Sequence, residues 1–279
     1  MRPFLLLGLI VLFASIISAA PNPNGFTLRS LEVAVTIYPD GTAHVAETVR
    51  LFINDTQSIE LYEQSMQYND LSSWMSRTGI TDLRTHINSA QLDLRNLRVR
   101  SREVDSCNQV VGTCLATLVL EYDVYSPGED KPGIVVMDAY KPRTIRYTLL
   151  PSSFSLPRSA TGDILLSSQI QLRVVLPEDA KAIRFSQPPS SLEGADRTQV
   201  DPNSDYRGAD RQFVWKEPLS GFRLSFEREQ SLESEIFSYF SNLQSGIFNT
   251  FFSLQGAAFI LLAAIVLGSV LWLHHIRAG

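Results

Sequence analysis

The chain has 279 residues, with 29 acidic and 24 basic side chains and a net charge of −5. This acidic balance argues against nucleic acid or an anionic lipid surface as the partner. Both chain ends are strongly hydrophobic, whereas residues 21 to about 230 are of mixed polarity. This middle segment is long enough for one large β domain or two small ones.

Residues 1–20 have the pattern of a signal peptide. Arg2 precedes an apolar run that ends in small residues, and Ser18 and Ala20 occupy the small-residue positions of a cleavage site. The alternative is an uncleaved signal anchor, because the apolar run is long. Either way, the segment that follows is exported.

Two alternating runs around Pro39-Asp40-Gly41 predict a β-hairpin. A three-residue loop with its glycine in the left-handed conformation pairs Ile37 with Ala43 and keeps one face apolar. The same register places Glu47 on the apolar face, opposite Val33. A carboxylate there needs a partner or an open, solvated edge of the sheet.

Four residues of this hairpin form a D-G turn followed by a V-x-E strand: Asp40, Gly41, Val45 and Glu47. The hairpin thereby resembles the opening strands of bacterial and archaeal membrane proteins of unknown function whose extracellular part is an N-terminal β domain. Residues 174–185 and 211–229 likewise resemble juxtamembrane β domains of archaeal surface proteins. The resemblance implies an extracellular β domain and no particular biochemical role.

Two features suit an exported protein. Cys107 and Cys114 are the only cysteines, and a close pair outside the cytoplasm predicts a disulfide. The alternative, a metal site, would need two further ligands. Asn54-Asp55-Thr56 is an N-glycosylation sequon in a loop-like stretch, and a chance match is the alternative.

A short helix is predicted before residue 80. Asn69 or Asp70 is its N-cap and Gly79 ends it. Trp74 and Met75 are expected to pack it on the sheet.

The disulfide predicts the register of a second hairpin in residues 92–126. If the two cysteines face each other, Arg100 lies opposite Glu121 and Arg98 lies opposite Asp123. This arrangement favours a solvated face of ion pairs over an anion-binding stripe.

Residues 127–133, PGEDKPG, interrupt the strand pattern and are a linker or a loop. They separate a first β module, 21–126, from a second, 134–229, in which six further strands are predicted. The fold class is therefore mainly β: an antiparallel, β-sandwich-like ectodomain of one or two modules. An amphipathic and transmembrane helix follows it.

A polar loop near residue 200 has oxygen-bearing side chains at alternate positions, as calcium loops do. It lacks the glycine and the glutamate of an EF-hand, so a polar turn is the alternative. The calcium candidates are Asp201, Asn203 and Asp205.

The C-terminal part predicts a juxtamembrane amphipathic helix, 230–253, a transmembrane helix, 254–274, and a short cytoplasmic tail, 275–279. The apolar stripe of the amphipathic helix lies in lipid, against a second copy of the chain, or against a partner protein. It consists of Ile236, Phe240, Leu243, Ile247 and Phe251.

The sequence contains no G-x-S-x-G, H-E-x-x-H or P-loop pattern, so no catalytic residue and no cofactor is assigned.

The sequence predicts a single-pass protein of the cell membrane, with its ectodomain outside and its C-terminus in the cytoplasm. The expected role is non-catalytic binding or structure, towards a protein, glycan or envelope component. The alternative is an accessory subunit of a membrane complex for transport or sensing, with a membrane or envelope protein as partner or by self-association. A carboxylate-dependent hydrolase is the least favoured alternative.

Overall fold

The computed structural model describes residues 25–80, 83–108, 110–128, 131–141, 143–192 and 204–230. Within these ranges the protein is mainly β, with two sheets and two α-helices. No helix in this part of the chain is long and apolar enough to span a membrane. The predicted signal peptide (1–20), transmembrane helix (254–274) and tail (275–279) lie outside the described residues, as does the juxtamembrane helix beyond residue 230.

The elements follow one another along the chain with the two helices between β2 and β3. The helices are α1 (Thr56–Ser65) and α2 (Leu71–Thr78), and a 3₁₀ turn spans Pro151–Ser153. The strands are β1 (Phe26–Ile37), β2 (Ala43–Ile53), β3 (Asp93–Ser101), β4 (Asp105–Asn108), β5 (Thr113–Tyr125), β6 (Val135–Lys141), β7 (Thr144–Leu149), β8 (Ile170–Val175), β9 (Lys181–Phe185), β10 (Gln212–Trp215) and β11 (Leu224–Glu229).

The larger sheet has the strand order β10-β8-β1-β2-β5-β3, with β4 also paired to β5, and the smaller sheet has the order β6-β7-β11-β9. β1 and β8 are parallel, with Leu31 opposite Ile170. The prediction of a purely antiparallel fold is therefore wrong for this pair. A parallel pair needs a long crossover, and the chain between β1 and β8 supplies one.

Strands from both sides of residues 127–133 share the larger sheet, because β8 and β10 join β1 and β2 there. One compact unit accordingly contains the chain up to Asp138 together with Arg146–Arg228. Within the described ranges, a second unit comprises Ala139–Ile145 together with Glu229 and Gln230. Segments before and after residues 127–133 therefore contribute strands to one sheet, and the division into one or two modules stays a prediction.

The first hairpin has the predicted register. Ile37 lies opposite Ala43 and Val33 lies opposite Glu47. Gly41 has a φ of 82°, and the Tyr38 backbone N–H donates to the Thr42 carbonyl at 2.9 Å. The alternation of apolar and polar residues then buries one whole face of both strands.

The second hairpin departs from its predicted register. Arg98, and not Arg100, lies opposite Glu121. The pairing of β4 with β5 is irregular, and Ser106 has a left-handed φ of 48°, so the register set at the disulfide is not carried into β3. The Arg100 guanidinium still reaches Glu121 at 3.0 Å, which confirms an ion pair on this exposed face.

Helix α2 has the predicted caps. The Asp70 side chain accepts a hydrogen bond from the Ser73 backbone N–H at 2.8 Å, and Gly79 ends the helix in the left-handed conformation. Trp74 is fully buried as expected, whereas Met75 is exposed and the prediction for it is wrong. A helix of two turns has room for one inward face.

Helix α1 is not predicted by the sequence pattern. Asp55 is its N-cap, and the Asp55 carboxylate accepts from the Ser58 backbone N–H at 2.7 Å. The Tyr62 side chain is buried beneath the helix, and its hydroxyl contacts the carbonyls of Arg102 and Thr117 at 2.8 and 2.9 Å. This contact fixes the helix to the chain on either side of β4.

Aromatic side chains join the two sheets into a sandwich-like core. The ring of Phe185 on β9 lies 4.8 Å from that of Phe213 on β10, and Trp215 lies 5.2 Å from Phe222. All four residues are buried. Such rings contribute large apolar areas and favour the edge-to-face contacts seen here.

The turn of the first hairpin is held against the smaller sheet. The Tyr147 hydroxyl donates to the Pro39 carbonyl at 2.6 Å, and the Arg228 guanidinium donates to the same carbonyl at 3.2 Å. Arg228 also binds both carboxylate oxygens of Asp179, at 2.7 and 2.6 Å. The Pro39 carbonyl thereby fixes the position of the D-G turn, and the Asp179 carboxylate holds Arg228 in place against it.

Candidate functional site

Three polar side chains meet on the buried face of the larger sheet. Glu47 lies on β2, Tyr122 lies on β5, and His86 belongs to the loop between α2 and β3. Glu47 is 0%, Tyr122 1% and His86 4% exposed. Polar groups buried this deeply must satisfy one another, because leaving a donor or a charge unpaired is costly.

The Glu47 carboxylate is the centre of this buried cluster. The His86 backbone N–H donates to Oε1 at 2.6 Å, His86 Nδ1 lies 2.7 Å from Oε2, and the Tyr122 hydroxyl donates to Oε1. Burial, together with the charge of Glu47, raises the pKa of Tyr122 above its usual range, so the phenol remains a donor. A carboxylate only accepts hydrogen bonds when ionised, which assigns a proton to His86 Nδ1.

The buried cluster organises two loops. The His86 carbonyl accepts from the Ser155 backbone N–H at 2.8 Å, and the next residue, Ile87, bridges to Phe154. Because its residues are enclosed, the cluster cannot present an acid or base to a substrate in this conformation. Its contacts support a structural role, the attachment of both loops to the sheet.

A different arrangement lies open to solvent on the smaller sheet. Three neighbouring segments each place an arginine and, two residues later, a hydroxyl on one face, since alternate residues of a strand share a face. These side chains line a groove of about 600 Å³. The pairs are Arg146 and Thr148 at β7, Arg184 and Ser186 at β9, and Arg223 and Ser225 at β11.

The residue between each arginine and its hydroxyl belongs to the core. Tyr147, Phe185 and Leu224 are each 1% exposed or less. Each triplet therefore anchors itself through its middle residue and directs its outer two side chains into the groove. A rigid sheet holds such side chains more precisely than a loop would.

Arginines and hydroxyls alternate between β9 and β11. Arg184 lies opposite Ser225. In the same pair of strands, two residues further along, the Arg223 backbone N–H donates to the Ser186 hydroxyl oxygen at 2.8 Å. Arg184 and Arg223 therefore each have a serine as neighbour on the adjacent strand.

Two carboxylates position two of the arginines. Arg146 Nη2 lies 2.8 Å from Glu227 Oε1, and Arg184 Nε lies 2.5 Å from Asp205 Oδ1. Arg223, the third arginine, is exposed. Among the described residues, three guanidinium groups line the groove, and two of them contact a carboxylate.

The calcium site stays a prediction, because two of its three residues are not described. Asp201 and Asn203 lie outside the described residues, and the Asp205 carboxylate binds Arg184 at the groove. No group of three metal-ligating His, Cys, Asp or Glu side chains occurs within the described ranges.

The disulfide between Cys107 and Cys114 is confirmed. It lies beside the predicted glycosylation site, because Ile53 pairs with Cys114 and Asn54 follows directly. Asn54 is exposed just before helix α1, and its glycosylation stays a prediction. Both features belong to the larger sheet, whereas the groove lies on the smaller one.

The apolar stripe of the juxtamembrane helix lies outside the described residues, so its lipid-facing or partner-facing role stays a prediction. It comprises Ile236, Phe240, Leu243, Ile247 and Phe251.

The sequence reasoning missed the groove, although a signal for it is present. Arg-Tyr-Thr at 146–148, Arg-Phe-Ser at 184–186 and Arg-Leu-Ser at 223–225 repeat one pattern in three predicted strands. For Glu47 the sequence left a partner or an open, solvated edge; the carboxylate is buried, and its partners His86 and Tyr122 were not identified. They come from distant parts of the sequence.

No protein-family model matches the chain, and no curated protein is similar to it in sequence.

Proposed function

We propose that the chain is a single-pass protein of the cell membrane whose extracellular β domain binds a ligand without catalysing a reaction. The observation that carries this proposal is the open groove of Arg146, Arg184 and Arg223. Its volume of about 600 Å³ falls within the usual range of ligand sites. The arginines supply several hydrogen-bond donors on a rigid sheet.

The chemistry of the groove supports binding rather than catalysis. A general acid or base must reach the proton that it transfers. The two carboxylates beside the groove, Glu227 and Asp205, instead contact arginines. The Glu–His–Tyr cluster, which has the residue types of acid–base chemistry, is closed to solvent.

The proposed location is supported by the sequence and by the disulfide. The apolar segments at 1–20 and 254–274 suit export followed by anchoring at the C-terminal end. A disulfide persists outside the reducing cytoplasm, in agreement with an extracellular position of residues 107–114.

The location is tested by adding protease to intact cells that carry the full-length protein. We expect the β domain to be degraded from outside, and complete protection would contradict the proposed orientation.

Ligand binding is tested with the full-length protein in detergent micelles and polymers extracted from the envelope of the producing cells. We expect saturable binding that is retained in Arg29→Gln and lost in Arg223→Glu. Arg29 is a matched control because it is an exposed arginine on β1 of the other sheet. Equal binding by Arg223→Glu and the wild type would overturn the groove as the ligand site.

A further inference from the structure

We infer that the ligand of this groove is an acidic polysaccharide, recognised through its carboxylate or sulfate groups. The inference rests on the proposed function and specifies its ligand class. It follows from three properties of the groove: the parallel N–H donors of its arginines, the hydroxyl groups between these arginines, and the residue types that form its walls.

The donors select an anion. A guanidinium group offers parallel N–H donors that match two oxygens of a carboxylate or sulfate. Glu227 and Asp205 hold Arg146 and Arg184 in place, so less side-chain freedom is lost when a ligand binds. The exposed Arg223 guanidinium adds attraction for an anion.

The hydroxyls suit a saccharide. Thr148, Ser186 and Ser225 line the same groove as the arginines and both donate and accept hydrogen bonds. A sugar acid presents hydroxyls next to its anionic group. The alternation of Arg184 with Ser225 across the strands therefore matches both kinds of group on one ring.

The residue types that form the walls of the groove disfavour a protein as the ligand. Protein interfaces centre on exposed apolar and aromatic side chains. Among the described residues, Phe185 is the one aromatic side chain that lines the groove, and it is 1% exposed. The groove is also concave, and a flat membrane surface would leave its inner donors without partners.

The test is a titration of the full-length protein in detergent micelles with four probes: trigalacturonate, a sulfated trisaccharide, neutral maltotriose and hexaglutamate. We expect at least one of the two acidic saccharides to bind about tenfold or more tightly than maltotriose and hexaglutamate. Raised salt should weaken this binding, because it screens exposed charges. Arg223→Gln should weaken it about tenfold, as expected for the loss of a charged hydrogen bond, and Arg29→Gln should leave it unchanged.

Thr148→Val is the second variant, because it removes a groove hydroxyl at nearly constant volume and leaves every arginine in place. It should weaken the acidic saccharide severalfold at an unchanged thermal midpoint, and unchanged binding by this variant would contradict the role of the hydroxyls.

The possible failures are distinguishable. Preferred binding of hexaglutamate or maltotriose, lost in Arg223→Gln, would overturn the acidic saccharide and keep the groove as a ligand site. Acidic saccharide binding that survives both Arg223→Gln and Arg184→Gln would overturn the groove as well. No binding of any probe would overturn the saccharide inference, and the envelope-polymer experiment would then decide the proposed function.

Discussion

Glu47 and His86, which are 39 positions apart in sequence, are joined twice: the backbone N–H and the ring nitrogen of His86 contact the two oxygens of one carboxylate, at 2.6 and 2.7 Å. The carboxylate therefore fixes both the main chain and the side chain of His86. Tyr122 adds a third contact from β5. A single buried acid thus determines where the loop after α2 meets the sheet.

Removal of this acid should be strongly destabilising. Glu47→Ala would leave the Tyr122 hydroxyl and the His86 donors buried without partners. We expect the free energy of unfolding to fall by about 3–5 kcal/mol, because several buried donors lose their acceptor at once. Urea unfolding followed by tryptophan fluorescence measures it.

The matched control is Glu63→Ala, which removes an exposed glutamate from α1. We expect a change within about 0.5 kcal/mol. A similar loss in both variants would show that the contacts of Glu47 are not the cause.

The disulfide should stabilise the fold by an amount that depends on the length of the loop that it closes, and this loop is short. We expect Cys107→Ser to lower the free energy of unfolding by roughly 2–4 kcal/mol without preventing export. The bond is detected as a reductant-dependent change in gel mobility of the wild type. Identical mobility with and without reductant, and an unshifted melting temperature in the variant, would contradict this prediction.

The contact of Asp179 with Arg228 should make stability depend on pH in acid. The Arg228 hydrogen bonds hold the pKa of Asp179 below its usual value. A carboxyl group whose pKa is lowered by folding stabilises the protein above its unfolded pKa of about 4, and this stabilisation is lost as the pH falls through the folded value. Asp179→Asn should therefore be less stable than the wild type at neutral pH and similar to it in strong acid.

The size of this effect should be at most about 1 kcal/mol at neutral pH, because the Asp179 side chain is half exposed and solvent screens the pair. Melting temperatures across the pH range measure it. Asp138→Asn, at an exposed position of β6, is the control. A wild-type advantage that persists unchanged at the lowest pH would contradict the assignment.

A chain of residues 21–230 should be soluble and folded. The apolar faces of both sheets are buried within the described residues, so the removal of the hydrophobic ends should leave the core intact. Size-exclusion chromatography and thermal unfolding measure this. Aggregation would mean that the apolar stripe at 236–251 completes the core.

Local structure could be predicted where all the residues that determine it lie within one short segment. In the first hairpin, strict alternation and the D-G turn leave one register with an apolar face, and Ile37 pairs with Ala43 as predicted. In α2, Asp70 and Gly79 mark both ends. These signals act over a few residues, so distant parts of the chain do not change them.

Structure that depends on distant residues could not be predicted. The register of β3 follows from an irregular β4 containing left-handed Ser106, which no propensity indicates. His86 reaches Glu47 only because a loop closes on the sheet. The groove needs three strands to be neighbours, and the repeated Arg-x-Ser/Thr triplet identifies it only once their order is known.

The parallel pairing of β1 with β8 has a consequence for biogenesis. Leu31 meets its partner Ile170 only after about 140 further residues have been synthesised, and closing so long a loop is slow and entropically costly. In the passage across the membrane that we propose, the outer edge of the first hairpin would stay uncovered until β8 follows, a state prone to association with other chains. An export chaperone that shields this edge would matter most before residue 170 emerges, so shortened chains that end before β8 should be the ones that are degraded.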